Sequence, residues 1–286
     1  MIQIIVNGII SGAIIALPAI AFTLMFSILK FPNFAIGAYV TVGAFCILFF
    51  QTVAGLPIWV ATILGMAATA LVAWASDVVV FKPLRQRSSI TLLIVSIAVA
   101  FILDNIIRFI AGNDIRGFDV PLTRPTKFPG FKITPEQIWL VGISLLAMLV
   151  IFAMLKYTKL GKAMRAVADN FTLAEVRGIN TGRVIIFTWI IGGALAGLAG
   201  LLVGLDLVIE PLVGWNLTIP ILAAAILGGI GSPIGAMIGA ITVGLAEEFT
   251  AHFFNPAYKV GVGFIIIALL LLLRPQGLFG QPEIKK

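Results

Sequence analysis

From Met1 to Leu29 the chain carries no charged residue, and that run fixes the solvent in which it folds. A helix rises about 1.5 Å per residue, so about 20 apolar residues cross a hydrocarbon core ~30 Å thick. Similar runs recur as far as Leu273. Over all 286 residues, 60% are apolar and 11% charged, with a mean hydropathy of +1.14. A soluble chain carries about 25% charge, so lipid is the solvent for most of this one. The first run lacks the basic start and short apolar core of a signal peptide and is read as a retained helix.

The expected class is an all-α polytopic membrane protein with about eight to nine membrane segments. Ile4 to Leu29, Ile58 to Phe81, Ile90 to Ala111, Gln137 to Leu155 and Val184 to Val208 are long enough to span. Phe34 to Phe50, Ile234 to Phe249 and Val260 to Leu273 are shorter. Leu217 to Ile230, stopped by Gly231, Ser232 and Pro233, reads as a half-helix that enters protein rather than lipid.

Loop charge sets the expected orientation. Lys30, the Lys82 to Arg87 loop, the Lys156 to Arg183 loop and the tail from Arg274 hold most of the 19 basic residues and are placed in the cytoplasm. Arg108, Arg116, Arg124, Lys127, Lys132 and Lys259 remain opposite, so the N-terminus is expected outside and the C-terminus inside. Basic clusters between apolar spans encode topology, and the net charge of +7 is not read as a nucleic-acid face.

Segment order repeats. A long helix, a short segment after a turn, and two further helices describe Ile4 to Ala111 and again Val184 to Leu273, starting from opposite faces. That is the hydropathy signature of an inverted-repeat transporter. The expected organisation is one transmembrane domain over 1–286: a first repeat 1–111, an outer loop and linking helix 112–155, a cytoplasmic loop 156–183, a second repeat 184–273 and a cytoplasmic tail 274–286. Glycines such as Gly193, Gly197 and Gly200 let helix backbones approach closely in lipid.

Catalytic chemistry is sparse. No Gly-x-x-x-x-Gly-Lys-Ser/Thr loop is present, so energy from ATP would have to come through a partner. One histidine, His252, and one cysteine, Cys46, do not make a zinc site, and no hydrolytic triad is evident. Asp104 and Arg108 are four apart and are expected to pair on one helix face as a structural ion pair. No carboxylate is clearly deep in a span, which disfavours a proton-driven mechanism.

The most informative loop runs from Leu160 to Ile179. It has helical spacing and a glycine stop at Gly178. Ala163, Ala166, Val167 and Leu173 or Ala174 are expected to dock onto another protein, with Lys162, Arg165 and Asp169 at the rim; an interfacial helix on anionic lipid is the alternative.

The stretch Gly161-Lys162-Ala163-Met164-Arg165-Ala166-Val167-Ala168-Asp169, with Ala174 and Gly178-Ile179, resembles the cytoplasmic coupling loop of the branched-chain amino acid permeases of ABC importers, the LivH type. Asn33-Phe34-Ala35, the run Gly193 to Gly200, the run Leu227 to Gly235 and Arg274 to Phe279 extend the resemblance over nearly the whole chain. Family members commonly follow Asn-Phe-Ala with His-Gly-Glu, whereas this chain has Ile36-Gly37-Ala38.

The resemblance implies a transport subunit, not an enzyme, that moves branched-chain amino acids or a related small amphipathic solute by alternating access in the bacterial inner membrane. It implies a second permease, expected to be a homologous but different chain, two cytoplasmic ATP-binding subunits and an extracytoplasmic solute-binding protein. ATP and magnesium belong on the partner ATPases; this chain is expected to bind no cofactor or metal. Asn33, Phe34, Ser232 and Pro233 are named for the translocation path because helices break there. A stand-alone channel or proton-coupled carrier is the alternative function.

Overall fold

The structure, a computed structural model, describes residues 1–120, 124–128, 130–274 and 277–279. The tail beyond 279, together with Pro275 and Gln276 of the Arg274 to Phe279 stretch, lies outside the described residues. The described chain is an all-α membrane bundle, as its apolar runs require.

Its helices are α1 (Ile2–Leu29), α2 (Ile36–Thr52), α3 (Ile58–Leu84), α4 (Ser89–Ala111), α5 (Pro135–Tyr157), α6 (Lys159–Asp169), α7 (Phe171–Val176), α8 (Thr181–Asp206), α9 (Val213–Gly228), α10 (Pro233–Phe253) and α11 (Lys259–Leu273). A hairpin of β1 (Thr126–Phe128) and β2 (Phe131–Ile133) lies between α4 and α5. Six helices, α1, α3, α4, α5, α8 and α10, are long and apolar enough to cross a bilayer. The segment expected to be short from Ile234 extends to Phe253, because the residues after Phe249 continue the helix.

α1 and α8 form the centre. Buried residues make up 83% of the apolar window of α1 and 72% of that of α8, against 22% for α5, which therefore belongs to the periphery. α1 packs most extensively on α10, and α8 on α3. The α1–α10 seam is close because Gly12 faces the backbone of Ile241 and Gly244 faces Gly12. Small residues serve here as in other lipid-embedded pairs: with no hydrophobic drive between apolar surfaces, close packing supplies the attraction.

Six of these helices open on a side-chain cap. Ser88 caps α4, Thr134 and Gln137 form a reciprocal capping box on α5, and Thr158, Asn170, Asn180 and Ser232 cap α6, α7, α8 and α10. α2 and α9 follow Ala35 and Leu212, which offer no side-chain cap. The first residues of the two helices, Ile36 and Val213, are buried. Ser89, at the start of α4, bonds the carbonyl of Lys30, while Ser96 accepts from Phe34 N–H at 3.0 Å. Seven residues of helix separate the two serines, so Phe34 sits about 10 Å deeper than Lys30. Non-helical backbone at that depth must be satisfied within the protein. Asn33 Oδ1 accordingly accepts from Ala35 N–H at 3.1 Å.

α3 changes pitch near its end. Asp77–Phe81 is a π-helical turn, and its widened loop directs Asp77 inward, where it pairs with Arg85 at 2.6 Å. The expected Asp104–Arg108 pair does not close: Asp104 Oδ1 and Arg108 Nε lack hydrogen-bond partners. Asp104 is held in the packed side of α4, while the longer Arg108 is only half-buried. Helical spacing brought the residues to one face without bringing their polar atoms together.

Candidate coupling element and helix-break site

α6 leaves the end of α5 without a loop. Thr158 donates its hydroxyl proton to Met154 O at 2.6 Å and accepts from Gly161 N–H at 3.0 Å, so one side chain closes α5 and opens α6. Gly161 is required for the turn, since a Cβ there would overlap the carbonyls of Met154 and Leu155. Gly161, Met164 and Val167 face inward and are buried, while Lys162, Arg165 and Asp169 face outward. Lys30, beyond the end of α1, donates to Ala168 O at 2.7 Å and holds the far end of α6.

The single helix expected over this loop is two. Asn170 is extended, with φ −153°, and its side chain accepts from Leu173 N–H at 2.9 Å to start α7. Gly178 has φ +82°, and Ile179 N–H returns to Ala174 O at 3.0 Å, the six-to-one bond of a glycine-terminated helix. Nothing lies within 4 Å of a Cβ at Gly178, so backbone conformation alone selects glycine.

The apolar residues that face outward are not the ones expected to do so. Val167 and Ala174 are buried in the chain's own core, and Ala163 and Ala166 are half-buried, because α6 lays its apolar stripe on the bundle above it. The apolar side chains left outward are Phe171, Leu173 and Val176 on α7, with Val176 79% exposed. Of these, only Leu173 belonged to the expected face. The break at Asn170, which rotates α7 relative to α6, is what brings Phe171 and Val176 out.

Pro233 approaches this element. It lines a crevice of about 560 Å³ together with Arg165, Asp169, Lys156 and the inner end of α1. Ser232 instead caps α10, accepting from Gly235 N–H at 3.1 Å. Asn33 and Phe34 lie elsewhere, against Met25 of α1 and Ser96 of α4. The four residues named for the path therefore fall into two separate pairs.

The partner of the first helix break is the start of α9. Gly37 and Gly214 meet backbone to backbone, and a Cβ on either would overlap the carbonyl of the other. Thr41 Oγ1 accepts from Gly214 N–H at 3.1 Å, and Thr218 donates to Gly214 O at 3.0 Å. The signal was present as the same spacing, Gly37-x-x-x-Thr41 and Gly214-x-x-x-Thr218. Ile36 and Ala38, at the positions where the resemblance led us to expect His and Glu, are buried in the first turn of α2.

Behind this crossing lies an aromatic stack. Tyr39 meets Trp189 edge-on with centroids 6.4 Å apart, Trp189 stacks on Phe81 at 5.1 Å, and Phe81 on Phe31 at 5.4 Å. All four rings are buried, which fills the interior between α2, α3 and α8. Among the described residues no three of His, Cys, Asp and Glu converge as a metal site.

Comparison with known proteins gives this geometry its context. The family described as "Branched-chain amino acid transport system / permease component" matches residues 4–272. The chain belongs to that family. It is a membrane-spanning transport component and not an enzyme. The permease is 34% identical to the high-affinity branched-chain amino acid transport system permease protein LivH of Escherichia coli strain K12, over 98% of this chain and 96% of that protein. It is 32% identical to BraD of Pseudomonas aeruginosa, over 99% and 97%. A probable LivH of Methanocaldococcus jannaschii is 29% identical, over 96% and 91%. No solved structure gives a significant match.

Proposed function

We propose that this permease carries branched-chain amino acids across the membrane as one subunit of an ATP-driven importer. The substrate class follows the names of its full-length relatives. Its partners in this reading are a second, homologous permease, two cytoplasmic ATP-binding subunits that hold ATP and magnesium, and an extracytoplasmic binding protein. The N-terminus is outside and the C-terminus cytoplasmic, in accord with the loop charges.

One observation carries the mechanism: α6 is fastened at both ends to long helices of the bundle, by Thr158 to α5 and by Lys30 to α1. A short helix held this way transmits displacement instead of absorbing it. Movement of the ATP-binding subunits is delivered through Gly161 to Ile179, with Lys162, Arg165 and Asp169 outward for contact and Gly161, Ala163, Ala166, Ala174, Gly178 and Ile179 fixing the shape. The two halves act as inverted repeats. This is supported by the pairing of α1 with α10 and of α8 with α3, and by the meeting of α2 and α9 at Gly37 and Gly214. Asn33 and Phe34 line the path near that meeting point, and Ser232 and Pro233 respond at the cytoplasmic end.

Proteoliposomes provide the test. Leucine uptake against a gradient is expected only when the permease is assembled with its ATP-binding partners and ATP is supplied on their side. Concentrative uptake by this polypeptide alone, without ATP, would establish a secondary carrier and overturn the proposal. Single cysteines at Gly117 and Glu175, in a Cys46→Ser background, test orientation: an impermeant maleimide added outside cells is expected to label the first and spare the second. The reverse pattern would invert the topology.

A further inference from the structure

α5 and α10 both pack on α1 but scarcely touch one another. At the cytoplasmic end this leaves a groove with α1 as its floor and α6 across its end, the crevice of about 560 Å³ that Pro233 helps line. Leu24, Ile28, Phe152, Leu155 and Ile234 make its walls apolar, and Phe152 and Ile234 are exposed at its sides. A water-filled groove of this composition at the end of transmembrane helices is unfavourable, whereas an acyl chain fits it.

Its polar end has a definite sign. Lys156 and Arg165 line it, and among the described residues neither has an ion-pair partner. Lys156 lies 5.5 Å from the ring centre of Phe152 and 5.4 Å from that of Tyr157, an aromatic and basic pairing suited to the headgroup level. Lys30 is close by through its bond to Ala168, another lining residue. Asp169 is the one acid in the lining, so the rim carries a net positive charge.

We propose that this groove is a binding site for an anionic phospholipid of the cytoplasmic leaflet, with its headgroup phosphate on Lys156, at a rim that Arg165 helps keep positive, and one acyl chain between α5 and α10. Apolar walls that open sideways together with unpaired cations at one end match this amphiphile. A free anion has no use for the walls, and a zwitterionic lipid gains less from the cations. Since α6 closes the groove, the lipid touches the coupling element and the Gly231 to Pro233 break together. It supports α6 from the membrane side.

Native mass spectrometry of the delipidated, assembled transporter tests this. Phosphatidylglycerol and phosphatidylcholine with identical chains are titrated, and preferential retention of phosphatidylglycerol is expected. Each basic residue near a charged headgroup contributes about fivefold in affinity, so Lys156→Gln should reduce the preference by about that factor and Lys156→Arg should preserve it. Ser27→Trp, which fills the groove and leaves its charges in place, should abolish retention of the preferred lipid. Equal binding of the two lipids, insensitivity to Ser27→Trp, or displacement of bound lipid by inorganic phosphate alone would overturn the proposal. So would Lys156 being shielded only by the ATP-binding subunit, with no lipid retained.

Discussion

Thr41 of α2 caps α9: its hydroxyl oxygen accepts from Gly214 N–H at 3.1 Å, with both residues buried. An N-terminal helix turn has donors with no partner in its own helix, and Leu212 supplies none. Thr41→Val keeps the shape and removes the acceptor, leaving a buried donor unmet at a cost of about 1–3 kcal/mol. Thr41→Ser should recover most of the loss. Thermal unfolding in detergent reads both, and a Val variant as stable as the parent would show that the cap is dispensable.

Glycine at the crossing has no substitute. Gly37→Ala or Gly214→Ala forces a methyl group against a backbone carbonyl and should destabilise by roughly 3 kcal/mol, the upper part of the range for overpacked cores. Gly142, inside α5, is the control: nothing lies within 4 Å of its Cβ position, so Gly142→Ala should be neutral or stabilising by up to about 1 kcal/mol. Similar melting temperatures for Gly37→Ala and Gly142→Ala would contradict the close approach.

Arg85 and Asp77 should respond unequally to truncation. The Asp77 side chain is 4% exposed and that of Arg85 33%, so removing the arginine strands a buried carboxylate while removing the carboxylate frees an arginine that can reach water. Arg85→Ala is expected to cost about 3 kcal/mol, Asp77→Asn distinctly less, and the double variant less than the sum. Equal losses with strict additivity would mean the contact contributes little.

Under the proposed coupling, Arg165→Glu should lower ATP-dependent uptake at least tenfold while leaving the permease folded, since the side chain points outward. Gly178→Pro should be worse, because proline holds φ near −65° where the chain needs +82°. Uptake and complex assembly measured in parallel check both. Parental uptake in either variant would remove this loop from the coupling pathway.

The spans were legible because each is a matter of length and apolarity along one continuous stretch. Gly178 was readable as a helix stop because its cause is local: only a positive φ ends the helix in that way. Asn170 was not, since one asparagine between two helical runs does not declare that it will cap the second. The inward turn of Val167 was hidden because the surface it covers belongs to α1 and α8, distant in sequence. Asn33, Phe34, Ser232 and Pro233 lie at helix breaks, but at two breaks that are apart in space. Their true neighbours depend on which helix crosses which, and the repeated Gly-x-x-x-Thr spacing, the one local trace of that crossing, is too short to speak for itself.

Lys30 carries two loads at once. It is left-handed at φ 59°, a conformation that costs an L-residue on the order of 1 kcal/mol, and its ammonium still reaches across to hold Ala168. A glycine there would relax the backbone and cut the tether, so the chain retains local discomfort in exchange for a mechanical link. Because that link ends on α1, whose apolar window is the most enclosed of the six long helices, a displacement of α6 enters the centre of the bundle through Lys30 at the same time as it enters the rim through α5.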